Sequence, residues 1–222
     1  MNIIMLGAQG TGKGTVAGLI SGEIGIPQIS TGDIFRKNIS EQTPLGVEAD
    51  KYISKGNLVP DEITVPLVKD RLTWEDAKNG VILDGFPRNI AQAEQLDEIL
   101  AEKGEKVDLV INLVTPYEEI IDRMITRRVC TNQECKTTYN TKLNPPKTEG
   151  ICDKCGASLK QRDDDKDPEA IKRRLEIYEE ITSPLVQYYE NKGVLRTEIV
   201  STAINHMGKD VANEVVRDIK NK

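Results

Sequence analysis

The segment Gly7-Ala8-Gln9-Gly10-Thr11-Gly12-Lys13-Gly14-Thr15 constrains the fold more than any other part of the chain. A fully apolar run, Ile3-Ile4-Met5-Leu6, precedes it, and apolar residues at Val16, Ala17, Leu19 and Ile20 follow. The first pattern suits a strand buried on both faces and the second a helix. Glycines at a strand-to-helix turn let several backbone N–H groups converge on one anion. A helix beginning near Lys13 adds its positive dipole end, and the lysine adds a movable cation. The strict pattern G-x-x-x-x-G-K-[ST] is not met, because Gly14 stands between Lys13 and Thr15. In its strand–turn–helix setting the segment still reads as a cradle for nucleotide phosphate rather than an ordinary glycine turn.

Ile26 to Ser30, Val81 to Asp84, Leu109 to Leu113 and Val194 to Val200 are the other strand candidates, separated by helical patterns such as Ile90 to Lys103 and Pro168 to Glu190. Strands alternating with helices predict a parallel sheet with crossover helices. Two segments interrupt the alternation. Residues 30–59 are helical, punctuated by Gly32, Gly46 and Gly56, and residues 126–165 carry all four cysteines and Pro145-Pro146. Forty structureless residues would be unusual in a compact domain, so both segments are expected to be small inserts. The core is then 1–29, 60–125 and 166–222.

Cys130, Cys135, Cys152 and Cys155 form C-x4-C-x16-C-x2-C. That spacing lets each pair reach one tetrahedral ion from a tight turn, which favours structural zinc; iron also suits four thiolates. Disulfides and unrelated thiols are the alternatives, and an expected cytoplasmic setting disfavours the former. A closed shell of four thiolates leaves no position for substrate, so the metal would be structural.

Thirty basic against 36 acidic residues give a net charge of −6. A generally basic nucleic-acid surface is thereby disfavoured, though a local basic cleft is not. No apolar run approaches a membrane span and no signal peptide is visible, so a soluble cytoplasmic protein is expected. His206, the single histidine, lacks a partner in sequence and reads as a surface residue. Trp74 is expected to pack on the helix before the Val81 strand. Asp163-Asp164-Asp165 reads equally as a solvated acidic run or as functional carboxylates. Asp84 closes an apolar strand, where an α/β sheet places its ligand crevice, and suits Mg²⁺ or its waters.

Six segments in order give the chain a resemblance to the adenylate kinase family, of the bacterial type with a long, four-cysteine zinc-binding lid. They are the Gly7–Thr15 loop, Ser30-Thr31-Gly32-Asp33, Leu83-Asp84-Gly85-Phe86-Pro87-Arg88, Asp122-Arg123 with Arg127-Arg128, Asn144-Pro145-Pro146, and Gln161-Arg162-Asp163-Asp164. The resemblance implies a P-loop fold with a five-stranded parallel sheet in order 2-3-1-4-5, an AMP-binding insert (30–59) and a lid (126–165). It implies a monomeric enzyme converting MgATP and AMP to two ADP. ATP would meet Gly10, Thr11, Gly12, Lys13, Gly14, Thr15, Arg123, Arg127, Thr138 and Tyr139. AMP would meet Thr31, Arg36, Asn57, Leu58, Val59, Gly85, Phe86, Pro87, Arg88 and Gln92, the last reading the base. Arg162 and Arg174 would close on both phosphate chains; with Lys13, Arg88 and Arg123 they form the catalytic set. The stretch from Arg162 to Leu175 is one residue longer than usual in the family, leaving Arg173 as the alternative to Arg174. Asp163 and its neighbours would bond polar groups of the first insert. Ile199-Val200-Ser201-Thr202 departs from the Asp-Gly turn that in the family contacts adenine, and the first cysteine turn is two residues longer than usual. The alternatives are a kinase for UMP, CMP or GMP, and an NTPase whose cysteine insert is a zinc ribbon for nucleic acid; Tyr139 is the one aromatic residue the insert offers for stacking.

Overall fold

The computed structural model describes residues 1–132, 134–203 and 205–221. Five strands, β1 (Asn2–Leu6), β2 (Gln28–Ser30), β3 (Val81–Asp84), β4 (Leu109–Val114) and β8 (Leu195–Ile199), pair in the order β2-β3-β1-β4-β8. All four pairings are parallel. This is the expected sheet, with β8 as the fifth core strand.

Strand alternation divides the core into two layers, since successive side chains leave a strand on opposite faces. Ile4, Leu6, Val81, Leu83 and Val110 pack with Val68, Leu96, Leu100 and Leu185. These come from α4 (Asp61–Arg71), α5 (Ile90–Ala101) and α8 (Pro184–Asn191). Ile3, Met5, Ile82, Ile111 and Leu113 pack on the other face with Val16, Ile20, Val211 and Val215, which belong to α1 (Lys13–Ile24) and α9 (Gly208–Lys220). Parallel strands covered on both faces need near-continuous apolar runs, and these strands have them.

Two smaller bodies carry their own apolar clusters. α2 (Thr31–Ser40) and α3 (Pro44–Ile53) bury Phe35, Ala49 and Val59 against Leu45, Tyr52 and Ile53. After α6 (Tyr117–Thr126), strands β5 (Arg127–Cys130), β6 (Thr138–Asn140) and β7 (Leu159–Lys160) form an antiparallel sheet in the order β6-β5-β7. Gln133, within the first cysteine turn, lies outside the described residues.

The expected helix from Pro168 to Glu190 is broken. α7 (Pro168–Ile177) passes into a π-turn over Tyr178–Thr182, and α8 restarts at Pro184. Pro184 has no N–H to donate and its ring crowds the preceding turn; the wider turn accommodates this, with Ser183 donating to the Tyr178 carbonyl at 2.7 Å. Trp74 remains half exposed: Arg71 of α4 covers its ring at 4.6 Å, and its indole N–H reaches Asp70 at 3.3 Å.

Gly46 marks where α3 meets α2. A Cβ there would lie 2.0 Å from the Asn38 carbonyl oxygen, an approach open only to glycine. Gly46→Ala is expected to destabilise the protein by about 1–3 kcal/mol, measured by urea unfolding, through forced separation of these helices.

Candidate active site

The phosphate loop connects β1 to α1. Gly7, at φ +127°, passes so close to β4 that a Cβ would lie 2.4 Å from the Leu113 carbonyl oxygen. α1 opens after Gly12; the amides of Thr15 and Val16 both donate to the Gly12 carbonyl at 3.0 Å, which leaves those of Lys13 and Gly14 available to an anion. Lys13 folds over the loop, its Nζ donating to the carbonyls of Gly7 and Ala8 at 2.7 Å each. Burial lowers its ammonium to about 7, with Asp84 opposing the shift. Asp84 sits at the end of β3, where Gln28 Nε2 reaches its carboxylate at 3.3 Å.

One cavity of about 380 Å³ opens over this loop. It is lined by Gly10, Thr11, Gly12, Lys13, Gly14, Thr15, Asp84, Gly85, Arg88, Arg162 and Arg174 around the loop. On one side it continues to Thr31, Arg36, Asn57, Leu58, Val59 and Gln92, and on the other to Arg123, Arg127, Thr138 and Tyr139. Nearly all residues expected at the site therefore face one space.

Phe86 and Pro87 do not line it. Phe86 is fully buried in the core beside Leu83 and Leu96, because the turn after β3 drives its side chain under the sheet. It and cis-Pro87 shape the turn that presents Gly85 and Arg88. There, Thr31 Oγ1 and Arg88 Nε both donate to the Gly85 carbonyl, at 3.0 and 2.9 Å. Arg173 points elsewhere as well, to Asn57 at 3.2 Å and Glu176 at 3.5 Å, whereas Arg174 is buried in the cavity wall. Tyr139 lines the cavity, but its hydroxyl faces inward, 3.6 Å from Cys152 Sγ and accepting from Asp153 N–H at 2.8 Å. Gln92 is committed at both ends of its amide: Oε1 accepts from Arg88 N–H at 2.7 Å and Nε2 donates to Asp61 at 2.6 Å.

The arginines are ordered by carboxylates. Arg127 forms a two-point pair with Asp165, both bonds 2.7 Å. Arg162 grips Asp164 through bonds of 2.9 and 2.5 Å. Arg174 Nη1 donates to Asp165 at 3.2 Å and to the Asp164 carbonyl at 2.5 Å, while its Nη2 is buried without a protein acceptor among the described residues. Asp164 and Asp165 are thus not a solvated run; only Asp163 is exposed, pairing with Lys160 and Lys166. Burial works to raise the Asp164 carboxyl, but Arg162, Arg174 and Arg36 hold it far below the carboxylate range. Burial lowers Arg88 and Arg174, partly offset by Asp84 and Asp164 respectively. Arg36 pairs with Asp33. Gln28 is not among the residues expected at the site, and Asp165 is weighed only as one of three acids in a run. The closeness of Asp165 to Arg162 in sequence was a signal; its contact with Arg127 needs the fold.

Sγ atoms of Cys130, Cys135, Cys152 and Cys155 lie within 4.8 Å of one another, all four thiols free. The 3.7 Å between Cys135 and Cys152 is what two thiolates at about 2.3 Å from one tetrahedral zinc would show. Burial raises the Cys152 thiol, but the Tyr139 hydroxyl and the amides of Cys155 and Lys154 bring it down to about 6. This donor set is compatible with zinc. His206, expected at the surface, is half-buried and spans the Ile199 carbonyl (2.7 Å) and Glu214 (3.5 Å), away from the cavity lining. Among the described residues no helix is long and apolar enough to cross a membrane.

A parallel sheet with this loop at its carboxyl edge, and arginines gathered over it, defines a P-loop enzyme of phosphoryl transfer between nucleotides. The adenylate kinase family model matches residues 5–194. The adenylate kinase of Clostridium tetani is 53% identical over 221 residues, covering 100% of this chain and 97% of the relative. That of Caldicellulosiruptor saccharolyticus is 51% identical over 211 residues, covering 95% and 97%. That of Clostridium botulinum strain Hall is 50% identical over 218 residues, covering 98% and 100%. The chain belongs to the adenylate kinase family.

The depressed Asp164 carboxyl predicts acid sensitivity. A group whose folded value lies below its unfolded value, about 3.9, stabilises above that pH and loses the contribution as pH falls. Asp164→Asn is expected to be less stable than the parent near neutrality, with the difference constant down to about pH 5 and shrinking as pH falls below about 4. Denaturant titrations at each pH measure it, and a pH-independent difference would contradict the assignment.

Proposed function

We propose that the protein transfers the γ-phosphoryl group of MgATP reversibly to AMP, giving two ADP. The observation that carries this reading is one cavity lined by the phosphate loop and a cluster of arginines and bordered by residues of both inserts. Residues 30–59 act as the AMP clamp, with Thr31, Arg36, Asn57, Leu58, Val59, Gly85, Arg88 and Gln92. Residues 126–165 act as a lid over ATP, with Arg127, Thr138 and Tyr139 beside Arg123, and the remaining segments form the core. Any base reading by Gln92 must use the amide hydrogen and lone pair its protein partners leave over.

The chemistry asks for positioning and charge neutralisation rather than a covalent intermediate. Lys13 exchanges its two loop carbonyls for donor phosphate oxygens, which restores the solvation that burial removed. Arg88 holds the acceptor phosphate, and Arg123, Arg162 and Arg174 stabilise the group in transit. The unpartnered Nη2 of Arg174 supports this role, because a buried guanidinium donor calls for an anionic acceptor. Asp84 would hold Mg²⁺ through its waters; the ion supplies neutralisation of phosphate charge. Cys130, Cys135, Cys152 and Cys155 would hold structural Zn²⁺, which organises the lid and takes no part in the reaction. Enclosing the cavity excludes water that would otherwise hydrolyse ATP. We assign the enzyme to the cytoplasm as a monomer without nucleic-acid partners.

A coupled assay with AMP, UMP, CMP and GMP decides the acceptor. AMP should exceed the others in kcat/KM by about 100-fold or more, and comparable rates would reassign the base. Arg88→Ala should lower kcat/KM for AMP by about 10²-fold or more. Verified removal of metal by a chelator should lower Tm by several degrees, roughly 2–4 °C for each kcal/mol lost; an unchanged Tm would refute a structural metal.

A further inference from the structure

At the Arg123 end of the cavity, a single carboxylate ties together two pieces of wall from distant parts of the chain. Glu119 lies in the first turn of α6. Its Oε2 accepts from Arg123 Nη2 at 2.8 Å, one helical turn on, and from the backbone N–H of Thr202 at 3.1 Å. Its Oε1 accepts from Ser201 Oγ at 2.5 Å. Ser201 and Thr202 begin the loop from β8 to α9, which Ser201 and His206 close with reciprocal backbone bonds of 2.9 and 3.1 Å. Val200 and Met207, at the two ends of that loop, line the cavity, as does Arg123. Gly208 follows directly, and a Cβ there would lie 3.1 Å from Val16, so the loop abuts the helix that carries the phosphate cradle.

Glu119 itself is not among the lining residues. A carboxylate beside an arginine also weakens that arginine's pull on phosphate, so direct substrate binding is a poor explanation for it. Geometric control is a better one. Arg123 reaches the same loop a second time, from Nη2 to the Val200 carbonyl at 3.3 Å. Glu119 fixes the charged end of Arg123 while gripping the loop through a side chain and a backbone amide. Burial works to raise its carboxyl, but Ser201, Thr202 and Arg123 together lower it, so the group is ionised and acts as an acceptor for all three.

We propose that Glu119 is a positioning residue for the donor nucleotide, locking Arg123 and the Val200–Thr202 segment into one wall that sets donor affinity and base selectivity. The proposal rests on the reading that this end of the cavity receives ATP. Loss of the lock makes the wall mobile, and binding must then order it, a cost that falls on the donor and not on the acceptor.

The test is Glu119→Ala, with Glu119→Gln and Ser201→Ala as milder variants, in the full-length protein. Glu119→Ala should raise KM for ATP by about 10-fold or more, leave KM for AMP within about 2-fold, and reduce the preference for ATP over GTP. Ser201→Ala, which removes one bond and keeps the charge pair, should raise KM for ATP by about 2–5-fold, and Glu119→Gln should fall between the two. An unchanged KM for ATP in folded variants, or equal rises for ATP and AMP, overturns the proposal. A fall in Tm with no selective effect on the donor also does so, because it shows a merely structural contact. Should Glu119→Ala fail to fold, the two milder variants decide by the same criterion. Calorimetric titration with ATP alone separates the two readings: a parent that binds ATP yet does not phosphorylate AMP defeats the proposed function, while the ATP affinities of the variants still judge Glu119.

Discussion

Everything at the centre of this molecule depends on placing several guanidinium groups within one largely buried space. Arg88, Arg127, Arg162 and Arg174 surround the same cavity as the Lys13 ammonium. Without counter-charges, burial and mutual repulsion would oppose the arrangement by several kcal/mol for each ion. Asp164 and Asp165 resolve this. Both are contributed by the short turn between β7 and α7, and between them they hold Arg127 at the start of β5, Arg162, and Arg174 on α7. The pairs therefore join the root of the small antiparallel sheet to a core helix, so the charges that line the cavity also set the position of that sheet. Apolar residues of equal volume could serve stability as well, but could not be exchanged for anionic substrate.

This explains why the site was readable in parts. Wherever placement follows from local spacing, the residues declared it: the glycines and Lys13 on a strand–helix turn, Asp84 at a strand end, and the paired cysteines in one cluster. Sheet order came from the resemblance, and apolar runs account for it physically by demanding burial on both faces. What local pattern could not supply is direction. Phe86 stands between two functional residues, Gly85 and Arg88, yet its side chain turns into the core. Tyr139 borders the cavity, yet its hydroxyl turns to Cys152. Arg173 and Arg174 are adjacent in sequence, but about 100° of helical rotation separates neighbours on a helix, and only Arg174 faces inward. Asp164 and Asp165 were ambiguous for a further reason: composition does not distinguish a solvated acid from one meeting a cation that is remote in sequence.

The cysteine cluster follows from size. Strands of four, three and two residues form the small sheet. Its apolar cluster consists of Cys130, Tyr139 and Cys152, flanked by Cys135, Ala157 and Leu159. So little apolar surface cannot offset the conformational entropy of the insert, because the hydrophobic contribution scales with buried area. Ligation by four thiolates can, since binding to a site absent from the unfolded chain adds its free energy directly to folding. A body stabilised from within need not draw stability from contact with the core. Its attachment to the rest of the molecule can then be left to the buried ion pairs of Asp164 and Asp165, contacts for which phosphate competes directly. A metal held by the four thiolates would therefore make the insert rigid from within, while the ion pairs of Asp164 and Asp165 tie its position to the arginines that line the cavity.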